Sequence, residues 1–159
     1  MLYARRVVVP LRILLGSTFA VLVLLQVMSL PGQFAHMAEE SPQDAYLRWP
    51  LTIWSILEVL CVQAVIVCTW RLLTMVEDGR IFSERSLAWV DGIVWAIGAG
   101  WLLLLGLWIY VGVNADDPGN PLALFVVVLV GAVLGLLMVV MRALLQQAIA
   151  LRTDMEAVI

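Results

Sequence analysis

Four apolar stretches, residues 10–30, 50–73, 87–113 and 121–145, set the limits on what this chain can fold into. Crossing the hydrocarbon of a bilayer takes about 20 helical residues, and each stretch reaches that length. Lipid offers no partner to a free backbone N–H or C=O, so each stretch must satisfy its own as a helix. Composition agrees: the chain of 159 residues is 64% hydrophobic and 13% charged, whereas about a quarter of a soluble chain is charged. The expected fold is a single all-α membrane domain over residues 1–159, a bundle of four transmembrane helices.

The arginines orient it. Arg5, Arg6 and Arg12 precede or open the first stretch, Arg71, Arg80 and Arg85 bracket the gap between the second and third, and Arg142 and Arg152 close the fourth. Only Arg48 falls in one of the other two gaps, which carry Glu39, Glu40, Asp44, Asp116 and Asp117. Membranes retain Arg and Lys in the cytoplasm, so both termini are expected inside, with negative groups facing one compartment and positive groups the other. Trp49, Trp54, Trp108 and Tyr110 then fall at the outer boundary, and Tyr3, Trp70 and Trp89 at the inner one, as interfacial aromatics should. Trp95 and Trp101 lie deeper, where an indole donor needs a partner or a packing role.

Local chemistry sets the expected ends. Pro31 and Gly32 are read as stopping the first helix, Pro50 as starting the second, Gly79 as the turn after it, and Ser83 as the cap of the third with Glu84 in its first turn. Ser41, Pro42, Gln43 and Asp44 resemble a helix start, so the second helix is expected to begin outside the membrane and bend at Pro50. Residues 114–121 are read as a short external turn. The first apolar run exceeds the 7 to 15 residues of a secretory core, and no small-x-small site follows it, so it reads as a retained helix. The fourth helix is expected to extend past the membrane to about residue 158, since Leu144, Ala148, Leu151, Met155 and Val158 recur at helical spacing opposite Gln147, Arg152, Asp154 and Glu156. Such a stripe suits a docking face toward the bilayer surface, a second copy or a soluble partner, or equally a helix end lying along the membrane or against its own bundle.

Few residues offer chemistry. Glu58 stands ~12 Å below the outer edge at the helical rise, where a charge costs about 3 kcal/mol and faces a partner or a cavity. Two readings stay open: a site for a ligand cation or proton, or a neutral carboxyl hydrogen-bonded to Gln26 or Trp101 that fixes packing. Gln63, near the midplane, is expected to bond across helices, with Ser17 and Thr18 at similar depth. Glu58, Gln63, Gln26 and Trp101 are the candidate intramembrane polar site. Asp91, within reach in depth of Arg71 and Arg142, is expected to form a triad that locks three helices or senses a cytoplasmic partner.

Ala88, Gly92, Ala96 and Gly100 on the third helix, with Gly131 and Gly135 on the fourth, predict close helix contact. Cys61 and Cys68 would stand about 10 Å apart on one helix, too far for a disulfide. They read as structural. With His36 alone otherwise, no metal ligand set assembles. No nucleophile and base pair and no phosphate loop is found, so neither catalytic residues nor a cofactor are expected. No basic patch points to direct nucleic-acid binding.

Residues 61–63, then Cys68, Thr69, Trp70, Arg71, Leu72, Leu73, Thr74, Met75 and Val76, and then Gly79, Arg80, Ile81, Phe82 and Ser83 resemble a bacterial membrane family, domain of unknown function 2975. The Gly79-x-Ile81-Phe82-Ser83 element is the most specific part. Trp89, Val90, Asp91, Gly92 and Ile93, with residues 151–159, resemble its actinobacterial branch. Many members carry asparagine three residues after the motif serine; this chain has Ser86. The resemblance implies the bacterial inner membrane and brings no activity with it. Some members look to be encoded beside helix-turn-helix regulators, which implies a cytoplasmic partner of that kind. The expected function is a non-enzymatic regulatory or scaffolding role through the cytoplasmic loop and tail, with membrane lipid and a second copy as further partners. The alternative is binding, or assisting transport of, a small molecule or lipid in a pocket around Glu58.

Overall fold

The structure, a computed structural model, describes residues 2–158, and every long element is a helix. Helix α1 (Leu2–Leu24) passes through a π-helical turn (Leu25–Ser29) into α2 (Leu30–Glu40). A 3₁₀ turn (Pro42–Leu47) leads to α3 (Arg48–Glu77), followed by α4 (Glu84–Asn114) and α5 (Gly119–Val158). Four spans, residues 5–40, 45–77, 84–114 and 119–158, are long and apolar enough to cross a membrane. The chain is a multi-pass membrane protein.

Pro31 and Gly32 do not stop the first helix, which runs on to Glu40. Proline inside a helix lacks the N–H owed to the carbonyl four residues earlier and clashes with it. The wider π turn just ahead, in which the Leu30 N–H donates to the Leu25 carbonyl, places Pro31 in the opening turn of α2, where no donor is owed. The helix ends at Ser41, whose N–H reaches the Met37 carbonyl at 3.0 Å. Ser41 and Pro42 do open a helical segment, but of 3₁₀ type and without a capping bond from the serine. The expected bend at Pro50 is instead a change from 3₁₀ to α geometry at Arg48, which leaves Pro50 in the first turn of α3.

The α3–α4 turn follows the sequence closely. Gly79 takes φ +68°, its N–H bonds the Val76 carbonyl at 3.1 Å, and the Arg80 N–H bonds that of Met75 at 2.9 Å. This is a Schellman ending, which needs a left-handed residue at that position. Ser83 is the extended residue before α4, with Glu84 in the first turn. Its hydroxyl donates back to the Arg80 carbonyl at 2.8 Å instead of capping a helix N–H.

The helices pack in series: α1 and α2 against α3, α3 against α4, and α4 against α5. Glycines seat the bulky side chains of the neighbour. A methyl at Gly106 would meet the Trp54 ring, one at Gly131 the Trp101 ring, one at Gly92 the Cys68 sulfur, and one at Gly100 both Cys61 and Glu58. Gly135 faces Ile97 in ordinary contact. Three indoles donate across helices, Trp54 to the Leu103 carbonyl at 3.1 Å, Trp101 to that of Val128 at 2.9 Å and Trp108 to that of Pro121 at 3.0 Å. Trp101 thus finds the partner its depth demands. Trp95 is 79% exposed, and among the described residues no hydrogen-bond partner meets its indole. Much of the apolar surface of α5, including Leu122, Val126, Leu129, Val133 and Leu136, also faces outward, as a surface solvated by lipid requires.

Candidate functional site

Polar chemistry concentrates at the end of the bundle where α1 begins, the α3–α4 turn lies and α5 finishes. Arg12 donates from Nη2 to Thr74 Oγ1 at 2.9 Å and pairs with Glu77 at 3.0 Å. It also lies 5.5 Å over the Trp70 ring, so one arginine holds α1 to the end of α3. Arg80 pairs with Asp78 at 2.8 Å. Arg152 pairs with Glu156 at 3.3 Å and stands over Phe82 at 5.7 Å, bringing the last turns of α5 onto the motif turn. Positive and negative groups therefore do not separate by compartment as expected: Glu77, Asp78, Asp91 and Glu156 share one end with the arginines they neutralise.

The expected triad resolves into two contacts. Arg142 grips Asp91 through Nε and Nη2, the latter 3.3 Å from Oδ2, which joins α4 to α5. Arg71 does not join them; its guanidinium stacks on Trp89 at 5.7 Å and links α3 to α4. The guanidinium of Arg71 finds its partner in the indole face, while the Asp91 carboxylate is held by Arg142 of α5.

The four residues of the intramembrane candidate are not gathered into one site. Gln63, buried, donates to Gln26 Oε1 at 2.9 Å, and Gln26 donates to the Ile56 carbonyl at 3.3 Å. Trp101 is committed to α5. Glu58 bonds neither of them: its Oε2 is buried without a partner, and Oε1 lies 3.5 Å from where a methyl at Gly100 would stand. Ser17 and Thr18 do not reach Gln63. Gln26 is the residue level with Gln63, while Ser17 and Thr18 follow Gly16, which faces Trp70 nearer the arginine end, and Thr18 bonds its own helix at Leu14. Cys61 and Cys68 are free thiols packed against Gly100 and Gly92. Among the described residues no group of three or more metal-ligating side chains occurs.

The motif is built around a buried hydroxyl. Ser86 is fully buried and donates to the Ser83 carbonyl at 2.6 Å, beside the Ser86 N–H bond to the same oxygen at 3.0 Å. Gly79 shapes the turn, Ile81 is half-buried, and Phe82 stands exposed under Arg152. Sequence reasoning missed the roles of Arg12 and Arg152, because the spacing of charges along the chain does not tell which helix end each will meet. It also missed a cavity of about 370 Å³ between the motif turn and the end of α5, lined by Arg80, Phe82, Ser83, Arg85, Arg152 and Glu156 among others.

No curated protein matches this chain, and no solved structure does. A family model described as protein of unknown function, DUF2975, matches residues 32–159, from α2 to the chain end and including the whole motif turn. With that match laid over most of the fold, the chain belongs to the DUF2975 family.

Proposed function

We propose that this protein is a non-enzymatic member of the bacterial inner membrane with both termini cytoplasmic, acting as a regulatory or scaffolding partner through the α3–α4 turn and the end of α5. One observation carries the reading. Arg152 brings the final α5 turns onto Phe82 of the motif turn, while Leu144, Leu151, Met155 and Val158 stand exposed along one stripe. A contiguous apolar stripe left exposed on a helix end that runs past the spanning length is arranged to meet something else. The arginine distribution supports the cytoplasmic placement of that face. A soluble helix-turn-helix regulator is the partner class that the family resemblance suggests.

Affinity capture of the intact protein beside a version ending at Gln147 tests the reading. Loss of one or more partners on truncation supports it; identical partner sets remove the tail from the function. Orientation is checked with a single cysteine at Asp154→Cys, with Cys61 and Cys68 replaced by alanine. Labelling by an impermeant thiol reagent in inverted vesicles but not in right-side-out ones is expected. The competing reading, a ligand site within the membrane, draws on the unpartnered Oε2 of Glu58. An infrared carboxyl stretch that responds to an apolar cation would favour it.

A further inference from the structure

Two features play no part in the partner reading: the Glu58 carboxyl oxygen buried without a partner, and the basic cavity between the motif turn and the end of α5. The cavity carries the argument furthest, because charge, position and shape agree there. Its arginines come from three places, Arg80 in the turn, Arg85 in the first turn of α4, and Arg152 near the end of α5. Against these three stand Glu156, which also lines the cavity, and Asp78, which pairs with Arg80 outside it. Glu84 and Asp154, their sequence neighbours, are not among its lining residues. One positive charge is left over. The Arg152 guanidinium is steered over Phe82, and the Ser83 hydroxyl already donates to the Arg80 carbonyl, which fixes the turn that carries Arg80.

Position adds a second constraint. Helix α3 has 30 residues, about 45 Å at the helical rise, which equals the roughly 40–45 Å of a bilayer with its headgroups. A helix of that length can carry the turn that closes it to the level of the lipid phosphates. Guanidinium groups bind phosphate oxygens in pairs, with geometry a lysine does not offer, and the chain has arginines at all three positions.

We propose that the cavity between the motif turn and the end of α5 binds a phosphoryl anion, either the phosphodiester of an acidic lipid or a soluble phosphate. The cavity shares the motif turn with the proposed partner surface, but arginine protection by lipid or phosphate in the purified protein is read without any protein partner, so the two can fail separately.

The test uses the full-length protein in nanodiscs of phosphatidylcholine, with or without phosphatidylglycerol, and in lipid-free detergent micelles with or without inorganic phosphate. Phenylglyoxal labelling, read by peptide mass spectrometry, reports the accessibility of Arg85 and Arg152, with Arg48 at the opposite end as the reference. Protection of Arg85 and Arg152 by phosphatidylglycerol but not by phosphate identifies a lipid headgroup; protection by phosphate in micelles identifies a soluble ligand. Arg85→Gln and Arg152→Gln are each expected to weaken binding about fivefold, the effect of one interfacial arginine on an anionic surface. Equal labelling under all four conditions overturns the proposal, as does protection that Arg48 shares, since that reports only general screening. Because the labelling is done on the unaltered protein, the result does not depend on whether the variants fold.

Discussion

Replacing Gly106 with alanine tests whether indole-in-glycine seating sets the α3–α4 contact. The added carbon would stand 2.9 Å from Cζ2 and 3.1 Å from Cη2 of Trp54. Carbon atoms rest about 3.5–4.0 Å apart, so the ring must retreat by roughly 0.6 Å or more. Its Nε1 donates to the Leu103 carbonyl at 3.1 Å, and the same retreat carries that contact outside hydrogen-bond range. Overpacking costs about 1–3 kcal/mol, and the lost interhelical bond adds about 0.6 kcal/mol. The better helix propensity of alanine returns about 1 kcal/mol. The net expectation is a loss of about 0.5–2.5 kcal/mol. The assay is reversible unfolding in mixed micelles by titration with dodecyl sulfate, followed by circular dichroism. Gly98→Ala and Gly112→Ala, on the same helix but with nothing within 4 Å of the new carbon, should be neutral or slightly stabilising. In a Trp54→Phe background, where the smaller ring leaves room, Gly106→Ala should lose most of its cost. Equal destabilisation in both backgrounds, or none in either, would refute the reasoning.

Other substitutions probe the polar contacts. Gln26→Leu should destabilise more than the double change Gln26→Leu with Gln63→Leu, because the single variant leaves the buried Gln63 amide without its acceptor; a difference of about 1 kcal/mol in the same unfolding assay is expected. Glu58→Leu removes a carboxyl oxygen that is buried without a partner, so it should be neutral or stabilise by about 1 kcal/mol or more; clear destabilisation would reveal a partner for Glu58 in the membrane. Ser86→Ala deletes one hydrogen bond while the backbone bond to the same carbonyl remains, and a loss of about 0.5–1.5 kcal/mol should appear as a lower thermal midpoint.

Much of the arrangement was legible in the chain because it depends on local rules. Apolar length predicts the spans, Gly79 the left-handed turn, and the spaced glycines the close contacts of α3, α4 and α5. Pro31 misled for a physical reason: a proline ends a helix only where the backbone cannot absorb it, and a π turn five residues long absorbs it here. Taking residues 10–30 as the span set Ser17 and Thr18 level with Gln63, whereas Gln26 is the residue that meets it. Asp91 and Arg142 meet, as their common depth allows, yet depth could not tell that Arg71 faces Trp89.

The sequence by itself determined that this is a four-span α-helical membrane protein with its arginines gathered toward one side, because hydrophobic length and backbone satisfaction in lipid leave no other solution. Only the tertiary structure decided that Glu58 lacks a partner, that Arg12 holds α1 to α3, and that Arg80, Arg85 and Arg152 converge on one cavity. Those outcomes turn on which face of each helix meets its neighbour and at what register. Helical periodicity defines the faces, but the pairing between them is settled by packing of residues far apart in the chain.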